Sequence, residues 1–214
     1  MRSWRTLPIG VLVGLCAALP AHANPVGPQV VHGRAAFESL GGVLNVTNSP
    51  GAIIDWRGFS IARDELTRFI QQNANSAVLN RVTGADPSHI LGRLESNGRV
   101  FLVNPHGIVF GRDSVVDTAG LVASTLNISD EDFLAGNLRF EGEDPGAIDN
   151  QGLIRASGGD VYLIAPEIRN SGAVIAEGGD ILLAAGRGVT ITDLDAGGVY
   201  FQVQAPEDRV VNLG

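Results

Sequence analysis

Cysteine is nearly missing from this sequence. Cys16 is the only one, and it lies in an N-terminal segment that reads as a removable signal. No disulfide can then staple the remainder, although oxidising compartments favour them. Either the core is large enough to need no staple, or the chain must stay unlinked while it crosses a barrier. Lysine is absent, so all 15 basic residues are Arg. They are scattered and outnumbered by 23 acidic residues, for a formal charge of −8. Without a basic block, nucleic acid and anionic lipid are not expected partners. Aromatics amount to only 6%, and apolar positions are filled by Val, Ile, Leu and Ala. Apolar residues at helical spacing are scarce. No stretch after residue 19 approaches the ~20 apolar residues of a membrane-spanning helix. There is no Gly-x-Ser-x-Gly motif and no metal-spaced Cys or His, so no catalytic residue, metal or cofactor is expected. His32, His89 and His106 are far apart and each stands beside a turn, which suits surface residues.

The N-terminus carries a targeting pattern. Arg2 and Arg5 form a basic start, Leu7 to Leu19 is apolar, and Ala21-His22-Ala23 offers a small-x-small cleavage site. A signal peptide over 1–23 and a mature start at Asn24 are expected. Val13-Gly14-Leu15-Cys16 departs from a lipoprotein site, because Leu15 stands where a small residue is wanted. The chain from 24 to 214 is long enough for one sizeable domain.

Glycine is abundant, 28 in 214 residues, against a usual share of ~7%. Gly, Asn, Asp and Pro interrupt short β-branched runs, the pattern of an all-β chain with many turns. Val43 to Thr47, Ala52 to Trp56 and Ala77 to Val82 read as strands. Residues 63–73 are ambiguous between helix and strand, and the β surroundings favour strand. Ser96-Asn97-Gly98-Arg99 between apolar runs is a hairpin cue. Ser129 followed by Asp130, Glu131 and Asp132 is an N-cap with an acidic first turn, which predicts one short helix.

Residues 148–187 repeat at an offset of twenty. Ile148, Asn150, Gly152 and Ala156 recur as Ile168, Asn170, Gly172 and Ala176. Gly158-Gly159-Asp160 recurs as Gly178-Gly179-Asp180, and Val161, Leu163 and Ala165 as Ile181, Leu183 and Ala185. A short period of strand-type sequence implies a solenoid, because one repeat cannot bury its apolar side alone. Successive strands would pair in parallel about 4.8 Å apart. Val161, Leu163 and Ala165 would point inward. Stacking predicts an amide ladder of Asn150 over Asn170, and opposite charges in register at Asp149/Arg169 and Glu167/Arg187. Asp160 would lie over Asp180. The Gly-Gly-x-Gly-x-Asp pattern of a calcium-binding solenoid is absent.

One stretch punctuates the chain most sharply. Val100 to Val103 and Ile108 to Phe110 are apolar runs flanking Asn104-Pro105-His106-Gly107. Pro fixes its φ, Gly accepts φ > 0, and Asn can bond its own backbone. Taken alone, the stretch is a buried hairpin. Asn48-Ser49-Pro50-Gly51 is a second strong turn.

These turns and their flanks resemble a known family. The resemblance rests on Asn45-Val46-Thr47-Asn48-Ser49-Pro50-Gly51, Trp56-Arg57-Gly58-Phe59-Ser60-Ile61 and Val78-Leu79-Asn80-Arg81-Val82. It continues through Asp86-Pro87-Ser88-His89-Ile90-Leu91-Gly92, the run from Ser96 to Ile108 and Gly120-Leu121-Val122-Ala123-Ser124-Thr125. Over roughly residues 30–185 the chain resembles the N-terminal secretion domain of filamentous haemagglutinin-like exoproteins of bacterial two-partner secretion. The resemblance implies a right-handed parallel β-helix with an N-terminal β cap and extra-helical strands. It implies export by the Sec machinery, then recognition of the unfolded chain by an outer-membrane β-barrel transporter with POTRA domains. Passage through the membrane would be transient, and the product would be secreted or held at the cell surface as an adhesin of unknown host ligand. Asn104, Pro105, His106, Gly107 and Ile108 would form the recognition and folding turn, with His106 where the family has Asn. The family's Asn-Pro-Asn-Leu motif is absent, and Asn48, Ser49, Pro50 and Gly51 are its nearest analogue. Family members are far longer, so a fragment or a short natural exoprotein is expected. Two other readings compete. One is a polysaccharide-binding or polysaccharide-degrading β-helix protein, for which Asp160 and Asp180 would be the carboxylate pair. The other is a solenoid with no transporter partner.

Overall fold

The computed structural model describes residues 24–194, 198–204 and 209–212. The signal expected at 1–23 lies outside them. Strand formation begins with β1 (Val26–His32), β2 (Ala35–Leu40), β3 (Val43–Asn48), β4 (Ala52–Gly58) and β5 (Leu66–Ile70). The chain continues through β6 (Ala77–Val82), β7 (Ser88–Ile90), β8 (Arg93–Ser96), β9 (Arg99–Val103), β10 (Ile108–Phe110), β11 (Val115–Thr118) and β12 (Gly120–Ser124). An excursion carries α1 (Asp130–Ala135) and β13 (Leu138–Glu141). The repeat region forms β14 (Ile148–Asn150), β15 (Leu153–Ser157), β16 (Val161–Ala165), β17 (Glu167–Asn170), β18 (Ala173–Glu177) and β19 (Ile181–Ala185). A hairpin of β20 (Gly188–Leu194) and β21 (Gly198–Gln204) precedes β22 (Arg209–Asn212).

The strands build a parallel β-helix with three faces. Sheet A runs β1-β4-β6-β9-β12-β16-β19, sheet B runs β18-β15-β11-β8-β5-β3-β2, and sheet C runs β22-β17-β14-β10-β7. The chain visits them in the order B, A, C. Within these three sheets the described pairs are parallel except the outermost β1/β4 and β2/β3, which close the N-terminal end as a β cap. Two hairpin expectations are corrected by this winding. Asn97 and Gly98 lie between β8 and β9, in sheets B and A, and residues 104–107 lie between β9 and β10, in sheets A and C. Each turn is therefore a corner between faces. A corner and a hairpin turn draw on the same residues, because both need a sharp local reversal of φ/ψ.

The period of twenty is the coil. Ile148 pairs with Ile168, Ala156 with Ala176 and Val161 with Ile181. Inward-facing Val161, Leu163 and Ala165 are fully buried, as are Ile148, Ile154 and Ile168. Each such side chain is worth about 1.5–3 kcal/mol, which makes these columns the main cohesive force. Aromatics are few, but four are stacked in sequence at the capped end. Phe37 meets Trp56 edge-on at 5.5 Å, Trp56 meets Phe59 at 5.6 Å, and Phe59 stacks on Phe69 at 6.4 Å. The buried Trp56 indole N–H donates to Asn80 Oδ1 at 2.9 Å, so neither polar group is orphaned inside the coil.

A second apolar cluster lies outside the coil. Ile53, Leu79, Phe101, Val122 and Tyr162 on the outer face of sheet A are covered by α1, β13 and β20. β13, β20 and β21 form their own antiparallel sheet, which we call the flap. Ser129 caps α1 as the sequence predicts, its Oγ accepting from the Asp132 N–H, and Gly136 ends the helix at φ 77°. Tyr162 and Ile164, which alternate with the inward residues, are buried in this outer cluster.

The ion pairs between coils follow a different pattern from the one read off the repeat. Asp149 and Arg169 are in register, yet Arg169 bonds Glu167 on its own strand and Asp149 accepts from Gln151 Nε2. Arg187 reaches the Glu143 carbonyl instead of Glu167. A neighbour two residues along an exposed strand competes as well as one on the next coil, and exposed pairs differ little in energy.

Candidate functional site

The turn at Asn104 is built into the wall between two coils. Asn104 is fully buried, and its side chain is used at both ends. Nδ2 donates to the Asp86 carbonyl at 3.1 Å and to Ser88 Oγ at 2.9 Å, while Oδ1 accepts from the His106 N–H at 3.0 Å. The Gly107 N–H donates to the Asn104 carbonyl at 3.1 Å and closes the turn. Gly107 has φ 115°, a region that L side chains rarely adopt. His106 keeps a negative φ, since among the described residues only glycines have positive φ. His106 is the exposed member of the turn. Ile108 is fully buried, and Pro105 is partly so.

The coil above is tied to the same turn. The Asn104 N–H donates to the Ser124 carbonyl at 2.9 Å, the Gly146 N–H to the Pro105 carbonyl at 2.7 Å, and the Ile108 N–H to the Ala147 carbonyl at 3.1 Å. Ser124 and Gly146 are where the excursion bearing α1 and β13 leaves and rejoins the coil. A methyl at Gly146 would lie 2.8 Å from Gly107 N, too close for any side chain. One turn thus clamps the coil below through Asp86 and Ser88 and both ends of the excursion above.

Asn48 to Gly51 makes an analogous corner elsewhere, between β3 of sheet B and β4 of sheet A. Asn48 is buried at 6% exposure and donates to the Ser49 carbonyl and to Gln71 Oε1. Its Oδ1 is buried without a hydrogen-bond partner. Ser49 Oγ accepts from the Arg34 N–H, Gly51 stands at φ 70°, and the Ala52 N–H closes the turn on Ser49 O at 3.2 Å. The two predicted turns therefore share a design and not a location. Ser88, Ser124 and Gly146 were missed by the reading of the sequence. Asp144-Pro145-Gly146 just before the repeat was the available signal, since Pro-Gly marks a turn.

The Asp160 carboxylate is engaged by its neighbours. Asp160 Oδ1 accepts from the Asp180 backbone N–H and Oδ2 from the Tyr162 hydroxyl, both at 2.9 Å. The Asn150–Asn170 amide ladder is present at 2.7 Å and extends to Asn212 at 2.9 Å. On the outer face of sheet B, burial alone would push the Glu95 carboxyl up. Hydrogen bonds and charge from Arg68 and Arg93 outweigh it and hold Glu95 below its ordinary value. No helix among the described residues is long and apolar enough to cross a membrane.

Comparison with known proteins places this geometry. The chain is 40% identical to the crystallised HMW1 secretion domain from Haemophilus influenzae, with a TM-score of 0.81 over 89% of this chain and 52% of that one. It is 37% identical over 105 residues to a heme/hemopexin-binding protein of Haemophilus influenzae strain KW20 Rd, a match covering 49% of this chain and 12% of that protein. A second heme/hemopexin-binding protein of Haemophilus influenzae is 30% identical over 123 residues, 55% of this chain and 13% of the relative. This chain therefore matches only a small part of those curated relatives. The TPS secretion domain family, TPS standing for two-partner secretion, matches residues 39–213, and the chain belongs to that family.

Proposed function

We propose that this chain is the N-terminal secretion module of a longer, filamentous haemagglutinin-like exoprotein. Residues 1–23 direct Sec export and are removed. A dedicated outer-membrane β-barrel with POTRA domains binds the unfolded chain in the periplasm, and the β-helix forms outside. The role is non-enzymatic, and the longer protein is an adhesin at the cell surface or released from it. The family membership carries this reading, and the Asn104 turn gives it a physical basis. Asn104 is fully buried in the fold, so its side chain is accessible to a transporter only while the chain is unfolded. Once outside, the same amide makes three hydrogen bonds that join the coil below to the turn. Recognition and folding would then draw on one sequence at two stages, and folding on the outer side biases transit.

The test is secretion of residues 1–214 with and without the partner barrel. The chain should be found in the medium only when the barrel is present. Barrel-independent release, or retention of a folded chain in the periplasm in both cases, would overturn the reading. The polysaccharide alternative is not favoured by the family match.

A further inference from the structure

Between the outer face of sheet A and the flap lies a cavity of about 210 Å³. Phe101, Val122 and Tyr162 line it on the coil side and Phe133, Leu138 and Ile191 on the flap side, beside a substantial polar share of its surface. Two residues of opposite charge, the exposed Arg99 and the half-buried Asp160, also line it. Ala77, Arg99 and Gly120 are register neighbours on β6, β9 and β12, so small residues flank the guanidinium on both sides. Arg99 donates one N–H to the Asn75 carbonyl at 3.0 Å, out of a fork of five donors. Asp160 is held in place by the Tyr162 hydroxyl and the Asp180 N–H. A carboxylate has about four acceptor sites, so it retains capacity for a ligand.

We propose that this cavity binds a free apolar α-amino acid of about the size of leucine or phenylalanine. The side chain lies against the apolar part of the lining, the carboxylate bonds Arg99 and the ammonium bonds Asp160. An apolar cavity of ~150 Å³ accommodates benzene, so this one holds a six-membered ring with a short chain. It is smaller than the ~300 Å³ at which drug-sized sites begin. A positive and a negative group on one lining complement a zwitterion, whereas a ligand of single charge would meet one favourable and one repulsive group. The site is independent of the secretion reading, since none of its lining belongs to the Asn104 turn.

The test is titration of the folded chain with L-phenylalanine, followed by calorimetry and by side-chain NMR of Tyr162 and Phe133. Saturable binding is expected, weakened at least tenfold for 3-phenylpropionate, which lacks the ammonium, and for phenethylamine, which lacks the carboxylate. Arg99→Gln and Asp160→Asn should each weaken it by a similar factor, and Ala77→Leu should abolish it by filling the space. If a variant fails to fold, the ligand series on the unaltered chain still decides. No saturable change up to about 10 mM overturns the proposal. So does equal affinity for all three ligands, or for N-acetyl-phenylalaninamide, which would point to a residue within a peptide instead of a free amino acid.

Discussion

Asn104 shows how one side chain can decide a corner. Its amide satisfies Asp86 O, Ser88 Oγ and the His106 N–H directly. Truncation leaves the buried Ser88 Oγ and the partly buried Asp86 carbonyl and His106 N–H without this partner, and an orphaned buried polar group costs about 1–3 kcal/mol. Asn104→Ala should therefore destabilise the folded chain by about 2–4 kcal/mol, read as a lowered urea midpoint. His106→Asn changes only an exposed side chain and should stay within about 0.5 kcal/mol. Equal losses for the two would mean that the turn is held by its backbone alone. Glu95 makes a separate prediction, in pH. Arg68 and Arg93 hold its folded carboxyl below the ordinary 4.5, so the folded state favours the carboxylate. The resulting stability is fully present above the unfolded value and is lost as pH falls through the depressed folded one. Glu95→Gln should shallow the fall in stability below about pH 4.5 and leave its slope near pH 7 unchanged. A parallel acid limb for the variant would remove Glu95 from the account.

At the scale of elements, one residue ties the segment leading into α1, beside the flap, to sheet A through several hydrogen bonds. Arg81, on the outer face of β6, donates to Asp55 Oδ1 at 3.3 Å, Asn127 Oδ1 at 3.1 Å, the Ile128 carbonyl at 3.0 Å and Asp130 Oδ1 at 2.6 Å. It thus joins sheet A to the approach and first turn of α1. Beneath the helix, Phe133 meets Phe101 edge-on at 5.1 Å. Arg81→Ala should accelerate amide exchange in residues 127–141 well before the coils respond, because local opening follows local contacts. Uniform acceleration would mean that flap and coil open as one unit. The sequence made the coil legible and the flap hard to see, for a physical reason. Coil residues recur in register, so Ile148/Ile168 and Asn150/Asn170 declare their neighbours by spacing alone. Arg81 and Asp130 stand 49 residues apart in a pairing that occurs once, and β13 joins β20 across the whole repeat region. Only the Ser129 cap, a local feature beside the flap, left a signature. The turn at Asn104 was equally legible as a turn, since Pro105 and Gly107 act locally. That it clamps Ser88, Ser124 and Gly146 was not, because those contacts cross coils. Asp149 and Arg169 mark the limit of register itself: it places two Cα atoms side by side and does not oblige long side chains to meet.

The whole molecule depends on contacts that mature only as coils stack. Apart from the cap and the flap, the pairing is parallel and joins strands about twenty or more residues apart, so loop closure must precede reward and slow folding is expected. Slow folding would suit the proposed delivery of an extended chain to a transporter. It also makes covalent shortcuts harmful, which gives the missing cysteines a consequence that can be measured. Val109 and Asp149 are register neighbours on β10 and β14, on the outer face of sheet C. Parallel strands lie ~4.8 Å apart, within the Cα separation of ~4.4–6.8 Å that a disulfide accepts. Val109→Cys with Asp149→Cys should therefore be tolerated by the folded β-helix, and oxidising the purified variant should raise its urea midpoint by closing a loop of about 40 residues. In the secretion assay the same bond, formed in the oxidising periplasm, would present the barrel with a closed loop instead of a single strand of chain. Release into the medium should fall for the double variant, recover when a reductant is supplied during export, and remain normal for each single variant. Undiminished release of the oxidised double variant would show that the transporter passes looped or folded chain, and the link between cysteine depletion and transit would then fail.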